Sequence, residues 1–327
     1  MTGTGLPLRE GDDGDAVRDL HRRLRGAGLS VGDDHDRFDE ATVVAVRTFQ
    51  ASRGLDRDGI VGRHTWSALV EADHRLGDRM LYLRSPMTRG DDVTALQHRL
   101  GSLGFDAGYV DGIFGPATER AVRDFQMNQG VNADGVVGPD TIAALTRLSG
   151  RRSGAKTIAE VREAVTLRAQ MSGVGGRRVV VGQTGGVPGL VDGLARRLRL
   201  DGAEVLTLHH PDLSAQARTA NQWEGNLYLG LALSDDDCSV SYFATDGFVS
   251  AGGRGLASHL SREIERSLAV PHPPAGMRLP ILRETRMPAV WCRVGHPAQV
   301  TEQAPTLTAA LHRAMVTWCG EPVQESP

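Results

Sequence analysis

Arg177–Gly186 reads RRVVVGQTGG. Val179, Val180 and Val181 form a short β-branched run between two arginines and a glycine-rich turn. Such a run, apolar without alternation, predicts a strand buried on both faces of a sheet. Gly182-Gln183-Thr184-Gly185-Gly186 then forms a loop at the strand's carboxyl end, where open α/β sheets gather ligands and catalytic groups. The contents of this loop decide between an enzyme and a binding protein. It has neither the Lys-Ser/Thr of a phosphate-binding P-loop nor the GxGxxG spacing of a dinucleotide fold.

Toward the carboxyl terminus, helical and strand patterns alternate. Leu190, Val191, Leu194 and Leu198 have helical spacing over 188–200, and Gly202 stops that helix. The pattern predicts strands over 204–208, 227–233, 238–244 and 289–294. Further helices are predicted over 214–223, across Leu256, Leu260, Ile264 and Leu268, and over 306–318 with Leu307, Leu311, Met315 and Trp318 inward. Alternation of this kind predicts an α/β sheet with helices on both faces.

The amino-terminal half is one unit written twice. At a constant offset of 76 residues, Val17, Leu20 and Leu24 answer to Val93, Leu96 and Leu100, and Phe38 answers to Phe114. Thr42, Ala45, Val46, Phe49 and Gln50 answer to Thr118, Ala121, Val122, Phe125 and Gln126. Gly54, Asp58, Gly59, Val61, Gly62 and Thr65 answer to Gly130, Asp134, Gly135, Val137, Gly138 and Thr141. A gap-free match of this length is the mark of duplication. Each copy predicts three short helices joined by turn chemistry at Asp111-Gly112, Asp134-Gly135 and Gly138-Pro139. Residues 71–88 join the copies, and Ser149–Ala155, SGRRSGA, is a second linker. Thr157-Ile158-Ala159-Glu160 has the form of a capping box opening a helix to about Met171. The expected divisions are repeats at 8–72 and 86–148, a linker and helix at 149–176, and a third domain at 177–320.

At 327 residues there is length for two or three cores, and 40 glycines with 5% aromatics suit turn-rich domains with aliphatic interiors. A net charge of −3 leaves no basic excess to neutralise phosphates, which argues against nucleic acid or an anionic membrane as partner. No apolar run reaches the length of a membrane span. The start, MTGTGLPLREGDDGDAV, has no basic region followed by an apolar one, so the chain is expected to be cytoplasmic. Cys238, Cys292 and Cys319 are sparse, odd in number and not in metal spacing, which suits reduced structural thiols.

GDDVTALQHRL…VDGIFGPATERAVRDFQMNQGV…DGVVGPDTIAAL resembles the peptidoglycan-binding domain found beside many cell-wall hydrolases. Copy one departs from it at the middle turn, where HDRFDEAT replaces DGIFGPAT. Tyr109, Asp111, Gly112, Phe114, Asp134 and Gly135 are the candidate ligand-binding residues of copy two. The alternative is that the glycines and aspartates only build turns and that Phe114 belongs to the core. The carboxyl-terminal domain resembles the zinc-dependent N-acetylmuramoyl-L-alanine amidases of the amidase-3 family. The VVV strand into a Gly-Gly loop, ARTAN before an apolar strand, LASHLSREIERSL and LPILRETRMPAVWCRVG carry that resemblance, in that order. The whole chain is thus expected to be multidomain: two all-α three-helix repeats of the peptidoglycan-binding type, then an α/β amidase-like domain.

The resemblance implies zinc held by two histidines and a glutamate, with a second glutamate as general base. The family's first histidine lies in a DPGHGG loop; here the loop is GQTGG, with Thr184 beside the glycines. No glutamate occurs between Glu163 and Glu204, and Asp192 is the one acid near the next ligand position. Counting from Asn221 puts Ala232 at the second histidine, and PAVWC is followed by Arg293 where the base is expected. Ala232 cannot donate to a metal, Thr184 is a poor ligand, and Arg293 sets a permanent cation where a dication would sit. His209 and His210 are adjacent and diverge on a strand, and His259, His296 and His312 lack a common spacing. This reading assigns no metal and no cofactor. Arg293, where exposed, would pair with a carboxylate or phosphate; where buried, with Asp192 or another acid.

An amidase scaffold without amidase chemistry implies a pseudoenzyme, and the combination resembles the actinobacterial CwlM-type regulators of peptidoglycan precursor synthesis. That resemblance implies as partner the UDP-N-acetylglucosamine enolpyruvyl transferase that opens the pathway, with peptidoglycan fragments or a lipid-linked precursor as further ligands. It also implies regulation through threonine phosphorylation in a carboxyl-terminal tail; no threonine follows Thr317 here. Two alternatives stand beside it: a zinc-dependent amidase hydrolysing peptidoglycan, and a passive cell-wall-binding protein.

Each half carries a complete apolar pattern, so residues 1–148 and 156–327 are expected to fold separately. Limited proteolysis at Arg151 or Arg152 should release two fragments that keep their near-ultraviolet circular dichroism; loss of that signal from both would refute the boundary.

Overall fold

The computed structural model describes residues 6–32, 36–53, 55, 57–148, 158, 163, 167, 173–234, 238–245, 248–268 and 273–320. The chain divides into two compact units, Met1–Ala159 and Glu160–Pro327. The linker at 149–155 lies outside the described residues, as does most of the expected helix from Thr157 to Met171.

The first unit contains α1 (Asp15–Gly26), α2 (Glu40–Arg53) and α3 (Arg63–Glu71), then α4 (Asp91–Ser102), α5 (Pro116–Gln129) and α6 (Pro139–Leu148). Apolar residues recur on one face of each helix. Val17, Leu20 and Leu24 of α1, with Val46 and Phe49 of α2, build one core. Val93, Leu96 and Leu100 of α4, with Val122 and Phe125 of α5, build the other. Helix α5 starts with Pro116 in its first turn and stops at Gly130, whose left-handed φ of 68° ends the helix. Isolated antiparallel bridges tie the extended segments together: Leu8 to Val61 in copy one, Leu81 to Val137 and Arg89 to Ile113 in copy two. Leu81 is fully buried in the second core, with Leu76 and Leu83 packed against it. Part of the stretch expected only to join the copies therefore belongs to the second copy, which begins before residue 86.

One polar device recurs beneath the turns. Gln126 Nε2 donates to Asp134 Oδ1 (3.0 Å), the Val136 carbonyl (3.0 Å) and Thr141 Oγ1 (3.0 Å), while its Oε1 accepts from Gly135 N (2.9 Å). Gln50 makes the same contacts with Asp58, Ile60, Thr65 and Gly59. Gln97 makes them with Asp111, Ile113, Thr118 and Gly112. Each amide saturates a turn that would otherwise bury unpaired backbone groups. Gly135 has φ 76°, a left-handed conformation that a side chain would strain. At the position matching Gln97, copy one carries buried His21, whose Nε2 lies 2.8 Å from Thr42 Oγ1.

The second unit runs β1 (Arg178–Gln183), α7 (Pro188–Leu200), β2 (Glu204–His209), α8 (Leu213–Gln222), β3 (Leu227–Ala232), β4 (Ser239–Thr245) and β5 (Phe248–Val249). It continues with α9 (Ala251–Leu268), β6 (Ala275–Met277), α10 (Pro280–Glu284), β7 (Ala289–Arg293) and α11 (Pro297–Gly320). The strand order is β2-β1-β3-β7-β4-β5, with β6 paired to β4. Strands β2, β1, β3 and β7 are parallel, and β4 runs antiparallel to β7 and β5. One face, with Val179, Val181, Leu229, Leu231, Val290 and Cys292, packs under α7, α9 and α11. On the other face, Tyr228 reaches Gln216 of α8.

The closing helix begins at Pro297 rather than at Thr306. Pro305 lies within it on the exposed side of α11, where water can serve the carbonyl its missing N–H leaves unbonded. Strands β5 and β6 and helix α10 are too short for a periodic signal and were not expected. Two ties close the unit. The Glu163 carboxylate accepts from Ser250 Oγ (2.6 Å), Ala251 N (3.0 Å) and Gly252 N (3.1 Å), capping α9 from a remote point in the chain. Buried Arg177 donates to the carbonyls of Gly173 (2.6 Å) and Cys319 (3.2 Å), the latter at the carboxyl end of α11.

Gln126→Ala should destabilise the first unit by about 2–4 kcal/mol, because it strands a buried N–H and removes three acceptors' partner at once. Urea unfolding of the full chain checks this; an unchanged first-unit transition would contradict the role of the amide.

Candidate functional site

The parallel register brings the three positions singled out in the loops to one edge. Gln183, the last residue of β1, pairs with Leu231 of β3, and Thr184 follows it in the loop at the end next to Ala232. Ala232 in turn is the Cα partner of Arg293 on β7. Thr184, Ala232 and Arg293 therefore stand in a row across the carboxyl ends of three neighbouring strands, although 48 and 61 residues separate them in sequence.

The floor of this edge is polar and fully bonded. The Tyr228 hydroxyl donates to Gln216 Oε1 (2.7 Å), and Gln216 Nε2 donates to the carbonyls of Gln183 (3.0 Å) and His210 (2.6 Å). Burial pushes the Tyr228 phenol well above its ordinary value. Gly185 and Gly186 follow Thr184 with φ of 135° and 83°. The side chain of Leu233 lies directly over Gly186, so a Cβ there would collide with it. An apolar side chain thus covers the glycine loop. Arg293 is half-buried, and its Nε donates to Ser239 Oγ (2.9 Å) on the adjacent strand β4. Asp192 is exposed on α7, a helix packed against the sheet face opposite to that of Arg293.

A threonine, an alanine and an arginine do not fit zinc. Among the described residues, no group of three or more histidine, cysteine, aspartate or glutamate side chains is placed to hold a metal ion. The histidines serve elsewhere. His210 Nδ1 accepts from Asp212 N (3.0 Å), His296 Nδ1 accepts from Ala298 N (3.4 Å), and His312 Nε2 lies 2.6 Å from Asp201 Oδ2. His209 is exposed, with its ring beside Gly185.

The candidates in copy two are distributed differently. Phe114 is fully buried and offers no face to a ligand; it is a core residue. Asp111 Oδ1 accepts from Gln97 Nε2 (2.8 Å) and Ile113 N (2.9 Å), and Gly112 N donates to Gln97 Oε1 (2.8 Å). Asp134 Oδ1 accepts from Val136 N (2.8 Å) and Gln126 Nε2 (3.0 Å), and these bonds hold its carboxyl below the usual range. These polar atoms, with Gly135, are engaged in the turns. Tyr109 is 42% exposed and is the aromatic of the set that reaches solvent. Sequence reading missed the glutamines beneath the turns and the Tyr228–Gln216 pair. The recurrence of Gln50 and Gln126 in the duplication was the available signal for the first; nothing signalled the second.

The sequence matches the peptidoglycan binding domain family twice, over residues 13–69 and 89–145. It is 33% identical over 336 aligned residues to the N-acetylmuramoyl-L-alanine amidase CwlM of Mycobacterium tuberculosis, covering 89% of this chain and 82% of that protein. It is 34% identical over 168 residues to the N-acetylmuramoyl-L-alanine amidase CwlL of Bacillus licheniformis, covering 44% of this chain and 46% of that one. Among solved structures it is similar to the N-acetylmuramyl-L-alanine amidase Ami1 of Mycobacterium smegmatis, with a TM-score of 0.39 and 12% identity over 46% of this chain and 99% of that one.

Because the fold favours the neutral phenol, Tyr228 contributes stability that is complete below the unfolded value of about pH 10 and is lost as pH rises beyond it. Alkaline difference absorbance should show one phenolate in the wild type that appears only with unfolding and is missing from Tyr228→Phe. Its appearance in the folded protein would contradict the buried bond to Gln216.

Proposed function

From the premise that the chain belongs to the family of the N-acetylmuramoyl-L-alanine amidase CwlM, we infer that it is a catalytically inactive amidase homologue that regulates peptidoglycan precursor synthesis by binding. The observation that carries this reading is the row of Thr184, Ala232 and Arg293 at the carboxyl edge of the sheet. A metal hydrolase needs donors there and an open coordination position. This edge offers a hydroxyl, a methyl group and a permanent cation, with Leu233 lying over the glycine loop. Each change acts against a bound dication, and three together at one edge leave a surface suited to recognition.

The proposed partner is a cytoplasmic enzyme of precursor synthesis, the UDP-N-acetylglucosamine enolpyruvyl transferase in the first place. Peptidoglycan fragments or a lipid-linked precursor are the corresponding small ligands, taken by the repeats with Tyr109 as the exposed aromatic contact. No described helix is long and apolar enough to cross a membrane, and the proposed working compartment is the cytoplasm. The names of its relatives favour a second reading, a working amidase that hydrolyses peptidoglycan.

Affinity purification of the tagged chain from its host should capture the transferase, and adding the chain to that enzyme should change its rate. Release of stem peptide from purified peptidoglycan by the chain alone would establish the amidase reading instead. Recovery only with the cell-wall fraction, and no captured enzyme, would favour a passive wall binder.

A further inference from the structure

We propose that Cys238 and Cys292 are a reversible disulfide site, closed by a peroxide-class oxidant, that clamps the entrance of β4 to the end of β7. The inference does not depend on whether the domain hydrolyses or binds. It rests on where the two thiols stand. Cys292 immediately precedes Arg293, and Cys238 immediately precedes Ser239. Arg293 and Ser239 are Cα partners across the antiparallel β4–β7 pair and share the 2.9 Å hydrogen bond. Cys292 faces Val240, two residues beyond Cys238, so strand alternation sends both sulfurs to the same side of the sheet. Both belong to the apolar cluster under α7, α9 and α11. There the neighbouring Cys238 thiol and burial push the Cys292 thiol up.

The third cysteine shows what a purely structural thiol does in this fold. Cys319 is buried at the end of α11, where its carbonyl accepts from Arg177. Packing alone calls for no second sulfur beside Cys238 or Cys292; a small apolar side chain would fill either place. The two positions are diagonal across the strand pair, so closure requires their Cα atoms to come within about 7 Å of each other.

The chemistry balances with hydrogen peroxide as the oxidant. Cys238, 8% exposed against 0% for Cys292, is the thiol of the proposed first step. Its thiolate attacks one peroxide oxygen, the O–O bond breaks, and a sulfenic acid and one water result after proton transfer. The Cys292 sulfur then attacks the Cys238 sulfur; the S–S bond forms, the S–O bond breaks, and the Cys292 proton leaves with the hydroxyl as a second water. Two thiols give up two electrons and two protons, and one peroxide becomes two waters. A dithiol reductant reverses the step. The closed loop spans β4, β5, α9, β6 and α10, so the crosslink restricts the unfolded chain and fixes the strand pair that carries Arg293.

The test uses the reduced full-length chain treated with hydrogen peroxide. Intact mass should fall by two hydrogen atoms, and peptide mapping should give a Cys238–Cys292 crosslink that dithiothreitol reverses. The thermal midpoint should rise by about 5–10 °C, with slower amide exchange in residues 239–243 and 289–293. Cys319→Ala should behave as the wild type, whereas Cys238→Ala should gain neither crosslink nor shift. Cys292→Ala should match Cys238→Ala, and alkylation mapping of the wild type decides the matter if that buried variant fails to fold. Oxygen addition at Cys238 without a crosslink, or a crosslink through Cys319, would overturn the proposal. So would a Cys238–Cys292 bond that leaves midpoint and exchange unchanged.

Discussion

Leu227–Ala232, six residues buried at every position, is the constraint on which the second unit depends. The strand is hydrogen-bonded on both sides, to β1 and to β7, and its register decides which side chains meet at the carboxyl edge. Gly230 keeps that register possible, since the Trp291 ring lies across it and any side chain would collide. Tyr228 projects to the same face and ties the strand to α8 through Gln216. A shift by one residue would bury the strand's outer face incorrectly on both sides. It would also separate Ala232 from Arg293.

The consequences at the edge are electrostatic. A half-buried guanidinium held by Ser239 makes the end of β7 permanently positive, because arginine does not lose its proton in proteins. Zinc would have to enter against that charge, with a hydroxyl and a methyl group as its nearest side chains. The same strand pair holds two thiols, one residue before the arginine and one before its partner.

Much of this was legible in the sequence because the governing signals are periodic or duplicated. The Val179–Val181 run is β1, and the apolar pattern of Leu190 to Leu198 is α7. The constant offset between the repeats located six helices, because the same residues bury the same faces twice. Elements of two to five residues, β5, β6 and α10, leave no period to read. The start of α11 was placed at Thr306 on the spacing that begins at Leu307, whereas the helix begins at Pro297. Thr184, Ala232 and Arg293 were placed by counting along the amidase-3 motifs that the chain resembles, and the parallel register sets Ala232 beside Arg293. Phe114 went the other way: its turn context suggested a ligand contact, and its burial placed it in the core. The polar network under the edge was out of reach because Tyr228 and Gln216 sit on different elements with no shared spacing.

The central claim is that this edge has exchanged metal chemistry for recognition. Zinc titration of the wild-type chain by calorimetry tests it most directly. The account predicts no stoichiometric binding. Saturable binding of about one zinc per wild-type chain, with the tetrahedral ligand set typical of such sites, would contradict it.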